Sequence, residues 1–167
     1  MTFDGRRSST TPGPDDLLSL FFLISIKKLF ELGRAYPFPR PPNCLRCKGG
    51  RLWGHGFREV WFEGHTERVP LKRYQCAECG CVYTIRPYGY WPRHHVSATV
   101  IFSSLCYRIR NGAWERDNGL TRQRQGNWLR AFVKNIKLYL GMHSTGNVVE
   151  RFCGLIDRGK LPVLRAG

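Results

Sequence analysis

The chain has 167 residues, enough for one medium domain or two small ones and too few for a large nucleotide-driven machine. Hydrophobic residues make up 42% of it, so most of the chain should fold. Its 27 lysines and arginines against 12 acidic residues give a formal net charge of +15. Such an excess indicates either a polyanionic partner or a role of the charge in solvation; nucleic acid is the commonest such partner, and an acidic membrane surface is the alternative.

The positive charge increases along the chain. Residues 1–43 contain six basic and four acidic side chains, residues 44–95 nine and four, and residues 96–167 twelve and four. Residues 118–149 contain no acidic side chain at all. The C-terminal half is therefore expected to meet the polyanion.

The N-terminal region consists of two predicted parts. Residues 1–14 are expected to form a loose tail, and residues 15–35 an apolar helix that begins at Asp15 and ends at Gly33. Because this helix is apolar on nearly every side, either the rest of the chain or a second copy must cover it. Packing within the chain is the preferred interpretation, and a homodimer through this helix is the alternative.

The same apolar stretch bears on localisation. The acidic pair Asp15 and Asp16 precedes it and Lys27 and Lys28 follow it, which is the reverse of a secretory signal, and it lacks a small-residue cleavage site. It is also about half the ~20 residues that span a bilayer. We therefore expect a cytoplasmic, nucleoid-associated protein with reduced thiols and no membrane partner.

Residues 36–93 are predicted to form a small β-rich zinc domain. Prolines at positions 37, 39, 41 and 42 make an extended connector that leads into Cys44. Short strands are expected over residues 51–53, 57–63, 66–75 and 82–86, with turns at Gly54-His55-Gly56 and Gly64-His65-Thr66.

Two Cys-x-x-Cys pairs predict a metal site in this domain. Cys44 and Cys47 form the first pair, and Cys76 and Cys79 the second. Each pair can place two thiolates on one metal, and four such ligands suit a tetrahedral zinc ion. A redox pair of the thioredoxin type is the alternative, but it would be a single pair that opens a helix. Four protein ligands leave no open position, so the zinc is expected to be structural.

Three further cysteines need separate interpretation. Cys81 lies beside the second pair, where it either replaces Cys79 as a ligand or is a strand residue near the metal, which we favour. Cys106 and Cys153 fall on predicted helices and are expected to be small buried apolar residues.

Residues 94–141 are predicted to form a helical module that resembles a helix-turn-helix, followed by a weak C-terminal helix and tail over residues 142–167. An apolar stripe predicts one helix over residues 96–110. A second is predicted over residues 121–140, with Thr121 as its cap and Trp128, Phe132, Ile136 and Leu140 in one apolar row. His94 and His95 either touch phosphate or end a loop.

The second helix has the composition of a DNA-recognition helix. Arginine, glutamine and asparagine are the side chains that make bidentate contacts to base edges in the major groove. A solvated basic face on an ordinary helix is the alternative. The residues predicted to contact double-stranded DNA are Thr121, Arg122, Gln123, Arg124, Gln125, Asn127, Arg130 and Lys134.

The turn before this helix does not fit the usual motif. Glu115 and Asn118 stand where a helix-turn-helix has a small and an apolar residue. Residues 111–119 are therefore expected to be a loop with one helical turn, and the module an atypical variant. The fold class predicted for the whole chain is α+β: a four-cysteine zinc ribbon of β-hairpins, a helical module and an apolar N-terminal helix.

Three motifs carry a resemblance to a known family. Tyr36-Pro-Phe-Pro-Arg-Pro before the first cysteine pair, Arg51-Leu-Trp-Gly-His-Gly, and Lys72-Arg-Tyr-Gln-Cys76 resemble the N-terminal zinc ribbon of bacterial insertion-sequence transposases. The resemblance covers about residues 36–140 and is more specific for the ribbon than for the helices. Small stand-alone bacterial proteins with the same ribbon and helices are also similar.

The resemblance implies zinc ligands at the four paired cysteines and a recognition helix that starts near Thr121 and binds the DNA ends of a mobile element. Transposases also need an RNase-H-like domain with three spaced carboxylates. The acids after the ribbon form only two close pairs, so we expect no enzymatic activity and a separate catalytic subunit as a further partner. A zinc-ribbon module for protein interaction and an RNA-binding protein are the alternative functions.

Overall fold

The computed structural model describes residues 18–142 and 144–164. The tail predicted over residues 1–14 lies outside this part of the chain. The described residues belong to two compact units, unit 1 ending at Tyr88 and unit 2 beginning at Gly89. The predicted domain boundary at residue 93 lies in the segment that leads into the first helix of unit 2. The structure is of the α+β class.

Unit 1 is built on a four-stranded sheet. Its strands are β1 (Leu18–Phe22), β2 (Leu52–Trp61), β3 (Arg68–Cys76) and β4 (Val82–Pro87), in the order β1-β4-β3-β2. Strand β3 pairs antiparallel with β2 on one side and with β4 on the other, whereas β1 runs parallel to β4. One short helix, α1 (Ile26–Leu32), and a 3₁₀ turn (Gly33–Ala35) follow β1.

The predicted apolar helix over residues 15–33 is wrong for most of its length. Residues 15–17 lie outside the described part of the chain, Leu18–Phe22 is strand β1, and helix begins only at Ile26 behind a Ser25 cap. A run that is apolar on every side has neither helical nor strand periodicity, so pattern alone cannot assign it. Leu20 and Phe22 pack on the core of the sheet, and this tertiary contact favours the strand.

The turn predicted at Gly54-His55-Gly56 is also wrong. Strand β2 runs through it, and the register with β3 shifts between Gly54 and Phe57. Gly56 has a φ of 71°, which a residue with a side chain rarely adopts. The glycines therefore form a bulge inside one strand, and β2 remains a single element.

One core cluster of unit 1 lies at the end of the sheet that carries the cysteines. Tyr83 and Ile85 of β4 are fully buried there, and Phe38 from the proline-rich connector packs against this cluster. The connector is also tied to the sheet by the Arg40 guanidinium, which donates to the carbonyl oxygen of Leu52. Phe38 precedes the first cysteine pair and Leu52 follows it, so packing against this cluster positions the chain on both sides of the pair.

Unit 2 contains helices α2 (Ala98–Asn111), α3 (Arg122–Asn135) and α4 (Val148–Asp157), and α3 continues into a π-helical turn (Ile136–Leu140). Side chains of Ser97, Thr121 and Asn147 cap the three helices. Phe152 of α4 packs among aromatic rings from three other segments, Trp91, Phe102 and Phe132. None of the helices in the described residues is long and apolar enough to cross a membrane.

The connection between α2 and α3 is not the turn of a helix-turn-helix. It spans residues 112–121 as irregular chain, without the predicted helical turn, whereas the motif joins its helices through about three to four residues. Gly112 ends α2 in the left-handed conformation, with a φ of 67°. Unit 2 is thus a small helical unit with a long loop before α3.

Candidate metal centre and polar face of α3

Four cysteines come together at one end of the sheet of unit 1. The Sγ atoms of Cys44, Cys47, Cys76 and Cys79 all lie within 4.8 Å of one another. The Sγ atoms of Cys44 and Cys79 are 3.6 Å apart, and so are those of Cys47 and Cys76. Four sulfurs at ~2.3 Å from a central metal would be about 3.8 Å apart. The four cysteines, none of which is in a disulfide, could therefore hold a metal ion.

The two cysteine pairs have the same backbone structure. The carbonyl oxygen of Cys44 accepts from the N–H of Lys48, and that of Cys76 from Gly80. Lys48 and Gly80 both have positive φ, 63° and 70°. Each turn reverses the chain so that the second thiol of the pair points back toward the first.

Comparison of the backbone hydrogen bonds of the two turns also shows where Cys81 lies relative to the second cysteine pair. The N–H of Cys44 donates to the carbonyl oxygen of Gly49, and the N–H of Cys76 donates to that of Cys81. Cys81 therefore has the position of a glycine in the other turn. It is buried beside the cluster but is not one of the four grouped thiols.

The electrostatics of the cluster favour a bound cation. Burial raises the pKa of Cys44, but hydrogen bonds from the Tyr83 hydroxyl and from the N–H groups of Cys47 and Arg46 outweigh it and lower that pKa to about 6. Burial and the neighbouring thiols raise the pKa of Cys79 to about 12. Cys44 therefore ionises readily, whereas Cys79 loses its proton only with difficulty. All four cysteines can be thiolates together only if a positive charge, such as a metal ion, lies between them.

Tyr83 contacts the cysteine cluster, and sequence reasoning missed it. Its hydroxyl lies 2.9 Å from Cys44 Sγ and accepts from the N–H of Arg46 at 3.2 Å. Burial raises the pKa of Tyr83, which keeps the hydroxyl protonated and able to donate to the thiolate. Its place two residues after Cys81 puts it on the inner face of β4, which was the available signal.

We expect Tyr83→Phe to weaken metal binding about 10- to 100-fold, because partners that orient a metal ligand typically contribute that much. The ring would still fill the core, so the sheet should stay folded. Competition between the protein and a chromophoric chelator for Zn²⁺ measures the change. Tyr88→Phe is the control, since Tyr88 is exposed. Equal affinities in the two variants would contradict a role for the Tyr83 hydroxyl.

The residues predicted to contact DNA lie at the start of α3 and along it. The Thr121 hydroxyl caps the helix by accepting from the N–H of Arg124 at 3.3 Å. Arg122, Gln123, Arg130 and Lys134 are exposed, and Arg124 and Asn127 are half-buried. Gln123, Asn127, Arg130 and Lys134, at spacings of four, three and four, form one stripe that we call the polar face of α3.

Gln125 does not belong to this face, which corrects the prediction that it contacts DNA. It is 1% exposed, its Oε1 accepts from Ser104 of α2 at 2.9 Å, and its Nε2 donates to the carbonyl oxygen of Leu120. Gln125 precedes Trp128 by three residues and therefore lies on the same buried side of the helix. Its amide fixes α3 against α2.

No protein-family model, curated protein or solved structure matches this chain. The interpretation of both sites therefore depends on their geometry and chemistry.

Proposed function

We propose that this protein is a non-catalytic, zinc-containing protein that binds double-stranded DNA through the polar face of α3. The supporting observation is that this face combines two amide and two basic side chains on one stripe, within a segment without acidic residues. Such side chains bind both base edges and phosphates. The burial of Gln125, Trp128 and Phe132 holds the opposite side of the helix in place.

The metal in this proposal is zinc in a zinc ribbon. Four thiolates in a tetrahedral arrangement are a ligand set that zinc prefers. Zinc is therefore the metal that this cluster fits in a compartment where thiols stay reduced. Four protein ligands leave no position for water or substrate, which favours a structural role. The ion would hold together the two turns that end the sheet of unit 1, and the chemistry of the protein would then be recognition.

The proposal includes an origin in a mobile element. The ribbon motifs resemble those of insertion-sequence transposases, and a protein of this kind would serve as a transposon accessory factor or a domesticated regulator. Cleavage and strand transfer would then belong to a separate catalytic subunit. The long loop before α3 makes the helical unit differ from a standard helix-turn-helix, so the resemblance supports the ribbon more than the DNA-binding unit.

Selection of bound duplexes from a random DNA pool tests this function. The zinc-loaded protein is immobilised and exposed to the pool at moderate salt, and a protein with alanine at Gln123, Arg130 and Lys134 serves as the matched control. We expect an enriched motif that the control does not select. Retention without any motif would contradict sequence-specific recognition. No retention would contradict DNA binding and favour a protein-interaction module.

Gly126 supports a close approach of DNA to α3. Glycine in a helix interior costs about 0.5–1 kcal/mol relative to alanine. A Cβ at Gly126 would meet only the Arg130 side chain, at 3.9 Å, and would fit without strain. The fold therefore does not require this glycine. It lies beside the polar face, where an absent side chain lets a ligand reach the backbone.

We expect Gly126→Ala to stabilise the protein by about 0.5–1 kcal/mol and to weaken DNA binding, two effects of opposite sign. Denaturant unfolding measures the first and duplex titration the second. Gly154→Ala in α4 is the control, because its Cβ would make ordinary contact with Leu140 at 3.6 Å, and it should stabilise without affecting DNA binding. Equal DNA affinity in both variants would place the DNA elsewhere.

A further inference from the structure

A cleft of about 290 Å³ lies in unit 2 between the turn that precedes α2 and the first half of α3. Its polar lining consists of Arg93 and His94 from the turn and Arg124 and Asn127 from the helix. Trp128 supplies part of the apolar lining, and none of the lining residues is acidic. Val163 and Leu164 also belong to the lining, so the cleft combines an apolar wall with two arginines, a histidine and an asparagine.

Trp128 holds two of these groups in place. Its indole N–H donates to Nδ1 of His94 at 3.3 Å, which puts the ring proton of His94 on Nε2. Its ring lies 5.3 Å from the guanidinium carbon of Arg124, within cation–π distance. Trp128 is itself 3% exposed and fixed in the core. The donors are therefore held before any ligand arrives, as a binding site requires.

The backbone of Arg93 is a separate observation that favours a ligand site. Arg93 has a φ of 64°, a conformation that glycine and asparagine adopt at lower energy than arginine does. Residues held in such conformations cluster at active sites and at sites that clamp ligands. Arg93 lines the cleft, and a guanidinium is a planar fork of hydrogen-bond donors.

We propose that this cleft binds one phosphate group of a nucleic-acid backbone. The proposal rests on the proposed function and deepens it, because Asn127 belongs both to the cleft and to the polar face of α3. Arginine binds phosphate through two parallel hydrogen bonds, and asparagine and histidine N–H groups add single ones. The bound phosphate fixes the register of α3 on the duplex, while the other residues of the polar face contact the neighbouring groove.

The test uses Arg93→Asn, which removes the charge and keeps a residue that tolerates positive φ. Arg116→Asn is the matched control, since Arg116 is exposed in the loop before α3 and outside the cleft. A short duplex of arbitrary sequence is titrated into each protein over a range of salt. The indole N–H signal of Trp128, one of five tryptophans, reports on the cleft by NMR. Inorganic phosphate is titrated separately.

We expect the duplex to shift the Trp128 signal in the wild type. Arg93→Asn should lose about tenfold in affinity and lower the salt slope by about 1, whereas Arg116→Asn should lose much less. Duplex binding with an unshifted Trp128 signal and unchanged affinity in Arg93→Asn would overturn the phosphate site alone. A signal that moves with inorganic phosphate but not with duplex would identify a free anion as the occupant and overturn the assignment. A wild type that binds no duplex would overturn the proposed function as well.

Discussion

Replacing Cys76 by serine is expected to abolish the proposed binding of metal and to unfold the end of the sheet in unit 1. Cys76 ends β3, and its Sγ lies 3.6 Å from that of Cys47, so its loss leaves three thiols and breaks the link between the two turns. Structural zinc sites contribute about 10–16 kcal/mol of apparent binding free energy. That is of the same order as the whole stability of a typical domain, about 5–15 kcal/mol. A metal chelator should have the same effect on the wild type.

Metal content and the NMR signals of residues 44–87 measure this outcome. Cys153→Ser is the matched control, since Cys153 is exposed in α4, contrary to the prediction that it is buried. Cys81→Ala should keep one equivalent of metal, because Cys81 is outside the group of four thiols. If Cys76→Ser retained a full equivalent and a folded sheet, the four-cysteine centre would have to be abandoned.

The double substitution Arg130→Ala/Lys134→Ala is expected to reduce DNA affinity strongly and to lower the salt slope by about 2. Each cation on a phosphate releases about 0.9 counterions, so two lost contacts reduce the dependence on salt accordingly. Both side chains are exposed and make up half of the polar face, so the fold should not change. Adding Gln123→Ala should reduce the discrimination between bases at one position of the DNA site by about 1–3 kcal/mol.

Titration of one duplex at several salt concentrations gives both quantities. Arg110→Ala/Arg116→Ala is the control, because it removes the same charge from exposed positions of unit 2 outside α3. A diffuse positive field would make the two double variants equally weak, and that result would contradict a specific role of the polar face.

The parts of the structure that local chemistry determines were predictable from the sequence. The spacing of Cys44, Cys47, Cys76 and Cys79 predicted one cluster, and the thiols do meet. The apolar periods and the Thr121 cap are consistent with helices close to the predicted ones, although the Ser97 cap begins α2 two residues after the predicted start at residue 96. In each case residues near in sequence set the backbone, and a regular period indicated the buried side.

The parts that depend on distant contacts were not predictable in the same way. Gln125 is polar, and its burial is favourable because its amide is bonded on both sides, to the carbonyl oxygen of Leu120 nearby and to the Ser104 hydroxyl from a helix earlier in the chain. Tyr83 contacts Cys44, which is separated from it by the whole of β2 and β3. Residues 18–22 form a strand because β4 offers them an edge, and a sequence pattern does not show which edges will be available.

Strand β1 has a consequence for the behaviour of the protein at high concentration. Residues 83–87 of β4 are all buried. Because β1 pairs with β4, β4 is an interior strand of the sheet. An uncovered β4 would offer unpaired N–H and C=O groups next to apolar side chains, which is how sheets of different molecules join. At the other side of the sheet, β2 carries a bulge and exposed charges at Arg58 and Glu59, both of which discourage such joining. The outer strand beside β4 is then β1 itself, which has only five residues, and an edge strand that short offers few groups for another sheet to pair with.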